Sequence, residues 1–196
     1  MIQKAKSLGI PVTIHAGEVQ PTGSKSNLLM AIEEYGASRI GHGYRAVDDI
    51  DMIKLIKEKN IHIEVCPTSS NETGGWAYTG EKNWREHPMV RMVKEGVPLS
   101  INSDDPGVFH TSLAWQYRVV LAKMGLDRET ILQSNLHGID GAFCPEEVKV
   151  KLRKKISDFV AKIGMHPNQR EWHRTHSENF VDRVYIAVQE DEAIRV

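Results

Sequence analysis

One pattern recurs four times before about residue 110: a segment with apolar residues at helical spacing, a glycine or asparagine, and then a short strand rich in β-branched residues. The four predicted strands are "PVTIHAG", "SRIGHG", "IHIEVCP" and "VPLSINSDD". Strands joined by helices run parallel, and a parallel sheet needs helices on both faces. The sequence therefore predicts an α/β fold with four parallel strands.

Beyond about residue 110 the pattern changes to helices alone. Three are predicted, over 111–125, 127–143 and 145–164, and we expect them to pack beside the sheet. The chain then becomes polar and aperiodic until "RVYIAV", which is typical of a mobile tail or of one late strand. We therefore expect one domain over residues 1–163 and a C-terminal tail over 164–196.

Charge and cysteine usage restrict the partners and the compartment. Lys and Arg total 25 against 26 for Asp and Glu, so a net charge of -1 gives no field that would attract nucleic acid or an anionic membrane. Cys66 and Cys144 lie among apolar residues and are expected to be buried free thiols, which suits a reducing compartment. No stretch resembles a signal peptide or a membrane span, so a cytoplasmic protein is expected.

Each predicted strand ends in residues that carry chemistry. The carboxyl ends of parallel strands form the face on which α/β folds build active sites, so we expect these side chains to meet. In strand order they are His15 and Glu18; His42; Cys66, Ser69 and Ser70; and Asp104 and Asp105.

The adjacent carboxyl groups of Asp104 and Asp105 favour a metal site. A turn would also explain "DDPG", because Asp, Pro and Gly are common turn residues. However, two neighbouring carboxylates after an apolar strand repel each other and lose hydration unless a cation relieves them. His15 and Asp104 offer the nitrogen and oxygen ligands that zinc takes, which leaves Glu18, His42 and Asp105 for proton transfer and orientation.

Together these motifs resemble the zinc-dependent adenosine deaminases of the amidohydrolase superfamily. The resemblance covers roughly residues 1–160 and is specific, because separated motifs agree in order. The matching segments are "HAGE" at 15–18, "RIGHG" at 39–43, "EVCPTSS" at 64–70, "SINSDDP" at 100–106, "HP" at 87–88, and Asn135 followed by "AF" at 142–143.

The resemblance implies a zinc-dependent hydrolytic deamination of adenosine to inosine and ammonia. It implies that His15 and Asp104 bind Zn²⁺ and that His42 orients and deprotonates the attacking water. Glu18 then protonates N1 of the purine nucleoside. Asp105 hydrogen-bonds the purine and helps to place the water.

By the same resemblance, Ser69 supports the metal ligands from behind. In "HAGE", Ala16 and Gly17 are then small because metal and purine need the space.

The resemblance also implies that the chain corresponds to the C-terminal half of a (β/α)₈ TIM-type barrel plus terminal helices. The His-x-His pair that gives the family two further zinc ligands does not occur in this sequence. Four strands do not close a barrel, so either the chain is a fragment or mispredicted product of a longer enzyme, or a second chain or self-association completes the barrel. In either case we expect the chain alone to be inactive. Two alternatives stay open: a deaminase of adenine or AMP, and a non-catalytic half-barrel that acts as an interaction module.

Overall fold

Four short parallel strands form a single sheet in the order β1-β2-β3-β4. The structure is a computed structural model that describes residues 2–19, 24–76 and 83–163. The strands are β1 (Thr13–Ala16), β2 (Arg39–His42), β3 (His62–Val65) and β4 (Leu99–Ile101). Each strand pairs in parallel with the next. The predicted α/β fold with four parallel strands is therefore confirmed, whereas the predicted tail over 164–196 lies outside the described residues.

Helices connect the strands as the sequence predicts. The bounds are α1 (Ile2–Ser7), α2 (Ser24–Leu29), α3 (Ile50–Glu58), α4 (Pro67–Glu72), α5 (Pro88–Lys94), α6 (Pro106–Phe109), α7 (Leu113–Arg118), α8 (Arg128–Gly141) and α9 (Glu146–Lys162). Helices α2 and α7 each continue into a π-helical turn, at Met30–Glu34 and Val119–Lys123. Two 3₁₀ turns occur at Tyr44–Asp48 and Trp84–Glu86.

Local sequence signals explain where several helices begin. The Asp49 side chain accepts a hydrogen bond from the backbone N–H of Asp51 and caps α3, and Asp127 caps α8 in the same way. Helix α5 begins at Pro88, and the side chain of His87 accepts from the N–H of Met89. These caps satisfy backbone donors that a helix N-terminus leaves unpaired.

The two faces of the sheet differ in chemistry. Ile40, Ile63 and Val65 are fully buried in the hydrophobic core, which the helices complete. On the opposite face Glu64 accepts a hydrogen bond from the Thr13 hydroxyl at 3.1 Å. Its carboxylate also forms a salt bridge with the guanidinium of Arg39. One face thus supplies hydrophobic stability, and the other presents polar side chains.

Short helical segments follow three of the strand ends. The 3₁₀ turn at Tyr44–Asp48 follows β2, α4 follows β3, and α6 follows β4. The segment "DDPG" therefore begins a short helix, with Pro106 at its first position, and does not form an isolated turn. Sequence patterns miss such segments because they are too short to show helical periodicity.

The C-terminal helices complete the described part of the chain. Helices α7 and α8 contact β4, as predicted, and the Ser134 hydroxyl accepts a hydrogen bond from the Ile101 N–H at 2.8 Å. Helix α9 belongs to a second compact unit that begins at Pro145. Both cysteines are free, with Cys66 buried and Cys144 half-buried. Among the described residues, no helix is both long and apolar enough to cross a bilayer.

Candidate active site

The backbone is strained where β2 and β4 end. His42 and Asp104 have left-handed φ angles of 69° and 57°, a conformation that residues other than glycine rarely adopt. Gly43, which follows His42, is also left-handed at 64°. Such strain persists where the surrounding structure enforces it, and it is concentrated at functional sites. The ends of β2 and β4 therefore mark a candidate functional site.

Two glycines let the strand ends approach each other. A Cβ atom at Gly41 would lie 2.6 Å from Cδ2 of His15, and a Cβ atom at Gly17 would lie 2.7 Å from the side chain of Leu28. Gly17 also has a positive φ of 65°. The small residues beside His15 thus make room for its ring and for neighbouring side chains. No bound group is needed to explain why Gly17 is small.

His42 lies at the centre of the strand-end side chains. Its Nε2 atom is 3.6 Å from Oε2 of Glu18 and 3.9 Å from Oδ2 of Asp104. The rings of His15 and His42 meet edge to face, with centroids 4.8 Å apart. The structure therefore brings together four of the residues that the sequence predicts, from β1, β2 and β4.

Burial controls the protonation of His42. The residue is only 3% exposed, and burial lowers its pKa although the nearby Glu18 carboxylate opposes the shift. Within the described part of the chain, its Nδ1 atom is buried and has no hydrogen-bond partner. A neutral imidazole with an unused nitrogen is able to accept a proton or to bind a metal ion.

The ligand atoms at this edge form two overlapping groups. His15, Glu18 and His42 offer ligand atoms that lie within 4.8 Å of one another, and so do His42, Cys66 and Asp104. Imidazole nitrogen, carboxylate oxygen and thiolate sulphur are the ligands that zinc takes in proteins. The donor set therefore fits a divalent metal ion.

A cavity of about 370 Å³ opens beside these side chains. His15, His42 and Asp104 line it, together with Cys66 and Glu64. A pocket of this volume is within the range of small-molecule sites. These side chains thus face a space large enough for a small ligand, whereas Glu18 and Asp105 do not line it.

Two predicted residues lie apart from this cluster. Asp105 is exposed, and its backbone caps the four-residue helix α6, while its side chain makes no capping hydrogen bond. Ser69 is 1% exposed within α4, and its carbonyl oxygen accepts from the backbone N–H and the hydroxyl of Thr73. The structure records no contact between either side chain and the residues around His42.

Tyr44 links the turn after His42 to the end of β3, a structural role that the sequence analysis did not predict. Its hydroxyl donates to the Cys66 carbonyl at 3.1 Å and accepts from the Cys66 N–H at 3.0 Å. This double contact ties the turn after His42 to the end of β3. Tyr44 is fully buried, and burial raises the pKa of its phenol. Its only sequence signal is its position within "GHGYR", beside the predicted site residue.

Comparisons with known proteins agree on one family. The family model described as adenosine deaminase matches residues 2–159. The adenosine deaminase of Bos taurus is 35% identical over 165 residues, which are 84% of this chain and 42% of that protein. The chain spans less than half the length of the curated relatives that it matches first.

Solved structures extend the comparison to the fold. An amidohydrolase from Burkholderia ambifaria with bound Zn has a TM-score of 0.73 and 26% identity, covering 83% of this chain and 44% of that one. The N6-methyl-AMP deaminase of Arabidopsis thaliana has a TM-score of 0.67 and 26% identity, covering 82% of this chain and 44% of that one. The chain is thus similar to part of each of these larger proteins.

Proposed function

The chain belongs to the adenosine deaminase family, and from this membership we propose that it supplies part of a zinc-dependent site for the hydrolytic deamination of adenosine to inosine and ammonia. The observation that carries the proposal is the position of His42, with Glu18 and Asp104 at 3.6 and 3.9 Å from its Nε2 atom. A base with an acid and a metal ligand at these distances supplies the groups that such a hydrolysis requires.

His15 and Asp104 are proposed to hold the zinc ion. His15 lies on β1 and Asp104 lies three residues after the end of β4, and both line the cavity. When bound, zinc supplies Lewis-acid chemistry that makes water nucleophilic near neutral pH. A zinc ion in a catalytic site usually has three protein ligands, so the site as proposed takes at least one further ligand from outside this pair.

His42 is proposed to take the proton from the attacking water. Burial lowers the pKa of its imidazole, so the ring is neutral near pH 7 and able to accept a proton. The left-handed backbone at His42 and Gly43 holds this ring at the cavity wall. Tyr44 fixes the turn behind it through the backbone of Cys66.

Glu18 is proposed to donate a proton to N1 of the purine. Its side chain is 28% exposed and its Oε2 atom lies 3.6 Å from Nε2 of His42, so the carboxyl group is accessible beside the proposed base. Asp105 is proposed to hydrogen-bond the purine from the start of α6, where its exposed side chain is free of a capping bond. Ser69 is proposed to support the strand-end turn from within α4.

Adenosine is proposed as the substrate because the curated relatives that the chain matches first are adenosine deaminases. The adenosine deaminase of Bos taurus is 35% identical, whereas the N6-methyl-AMP deaminase is 26% identical. AMP nevertheless remains the second candidate because that structural similarity covers 82% of the chain. Discrimination between the two requires a group that recognises or rejects phosphate, and the proposed residues do not include one.

In this proposal, full activity requires further strands beside the four-stranded sheet. Strands β1 and β4 each have one neighbour in the described sheet, and the relatives are more than twice as long as the matched region. We propose that further strands, from the same or another polypeptide, complete the barrel and the zinc ligand set.

The test measures ammonia release from adenosine and from AMP with Zn²⁺ present. The chain is assayed alone and after co-expression with an amino-terminal barrel half from a relative. The completed barrel should deaminate adenosine faster than AMP. The chain alone should release little ammonia, because its zinc ligand set is incomplete and a displacement of a catalytic group by about 1 Å can already lower the rate about a hundredfold.

The matched control is Glu18→Gln, which keeps the size of the side chain but removes the acidic proton. Loss of the general acid should lower kcat about a hundredfold or more while zinc content is unchanged. The proposal fails if the completed barrel leaves adenosine untouched although it is folded and contains zinc. The role of Glu18 fails if the Gln variant turns over like the parent or loses zinc.

A further inference from the structure

We propose that His42, Cys66 and Asp104 form a second metal-binding site, which takes a thiophilic divalent cation through the Cys66 thiolate. The ligand atoms of these three residues lie within 4.8 Å of one another. All three line the cavity of about 370 Å³, so an ion reaches them without passing through the core. Cys66 has no place in the proposed deamination, and its position here has no other assigned use.

The donor set suits this class of ion. Thiolate, imidazole and carboxylate are all zinc ligands, with bonds of about 2.0–2.3 Å, which places ligand atoms roughly 3.5 Å apart around a tetrahedral ion. The three side chains therefore need to close by roughly 1 Å to reach that spacing. A sulphur ligand shifts preference towards softer ions, whereas His15 and Asp104 offer only nitrogen and oxygen.

Within the described chain, no strong hydrogen bond competes with metal binding by these three side chains. Nδ1 of His42 is buried and unpartnered within the described chain, and Nε2 is too far from either carboxylate for a good hydrogen bond. The sulphur of Cys66 makes a weak contact with the Glu64 carbonyl oxygen at 3.7 Å. On binding, the thiol releases its proton to solvent and the thiolate coordinates the ion.

The second site shares His42 and Asp104 with the proposed deaminase chemistry. An ion bound through Cys66 would take up the imidazole that accepts the water proton and the carboxylate that holds zinc. Thiophilic cations should therefore inhibit the enzyme, a consequence that rests on the proposed function. Binding of the ion to the chain does not rest on it and is measured separately.

The first experiment titrates the chain with Cd²⁺ and follows the ultraviolet cadmium–thiolate charge-transfer band. The parent should develop a band that saturates at one equivalent. Cys66→Ser should lose the band, and Cys144→Ser is the matched control that should keep it, because these are the two cysteines of the chain. His42→Ala and Asp104→Asn retain the thiol and should weaken binding at least about tenfold.

The second experiment needs no substitution and so is independent of any folding defect. Alkylation of both cysteines is followed by mass spectrometry, and Cd²⁺ should slow the modification of Cys66 but not that of Cys144. The proposal is overturned if the folded parent shows no band, if Cys144→Ser removes it, if Cd²⁺ protects Cys144 instead, or if both ligand variants bind as tightly as the parent.

Discussion

His42 and His87 are both buried histidines, and the contrast between them separates a chemical site from a structural one. They are 3% and 1% exposed, and burial lowers the pKa of both. In His87, Nδ1 accepts from the Met89 N–H at 3.1 Å and Nε2 lies 2.9 Å from the Ser70 hydroxyl. In His42, Nδ1 has no partner among the described residues, and Nε2 lies 3.6 and 3.9 Å from two carboxylate oxygens, beyond the range of a good hydrogen bond.

The surroundings reinforce this difference. The His87 ring packs among the aromatic rings of Tyr44, Trp76 and Trp84 and caps α5 from an ordinary backbone conformation. His42 has a left-handed backbone and lines a cavity. Burial and a lowered pKa are thus shared by both residues. Unmet hydrogen-bonding capacity and backbone strain identify the residue that is available for chemistry.

The largest expected effect comes from replacing each histidine by alanine. In the completed barrel, His42→Ala should lower kcat about a hundredfold or more, because a general base is lost. Its free energy of unfolding should fall by less than that of the His87 variant, because the His42 ring packs on His15 but makes no strong hydrogen bond. Ammonia release and urea denaturation measure the two quantities.

The matching variant, His87→Ala, should show the opposite result. Loss of a packed ring and of two hydrogen bonds should lower the free energy of unfolding by about 3 kcal/mol. Turnover by the fraction that remains folded should stay close to that of the parent. If His42→Ala is the more destabilised variant and His87→Ala the less active one, the two roles are reversed.

The neighbours Asp104 and Asp105 extend the comparison to carboxyl groups. Asp104 is half-buried, left-handed and close to His42, whereas Asp105 is exposed at the start of α6. Asp104→Ala should therefore weaken Zn²⁺ binding more than about tenfold, and Asp105→Ala should leave it unchanged. Metal analysis of both purified variants decides between them. A metal-free Asp105 variant would exchange their assignments.

Acid should destabilise the fold through its buried histidines. Burial lowers the pKa of His87 to about 3 and that of His62 to about 4, and neighbouring arginines add to both shifts. Below about pH 6.5 the unfolded chain binds protons that these folded residues reject. Stability is therefore complete above that pH and declines as the pH falls towards 4.

The size of this decline is about 1.4 kcal/mol per pH unit for each histidine that resists protonation. Urea denaturation at several pH values measures it. His87→Gln should reduce the slope of the free energy of unfolding against pH by the contribution of one histidine, about 1.4 kcal/mol per pH unit. An unchanged slope in the His87 variant would assign the acid sensitivity to other groups.

Much of the fold could be predicted because its signals are local and repeated. The β/α rhythm places all four strands and the helices between them, and parallel connection brings Glu18, His42 and Asp104 to one edge. The partners of His87 and the clamp on Tyr44 could not be predicted. They depend on contacts between segments 17 and 22 residues apart, which no periodicity encodes.

The strand ends show the same limit within the candidate site. Sequence separates Asp104 from Asp105 only by one position, whereas the structure separates them by backbone angle and exposure. The sequence predicts that Cys66 is a buried free thiol. Only the structure shows that its sulphur lies close to ligand atoms of His42 and Asp104. The residue types were thus predictable, and their mutual distances were not.

The most direct test of the contrast between the two histidines is side-chain nitrogen NMR on the labelled chain during titration with Zn²⁺. The account predicts that the ring signals of His42 and His15 shift on addition of zinc. It also predicts that His87 keeps an unchanged neutral signal with its proton on Nε2, because Nδ1 accepts from a backbone N–H. Zinc-dependent shifts of His87, with His42 and His15 unmoved, would contradict it.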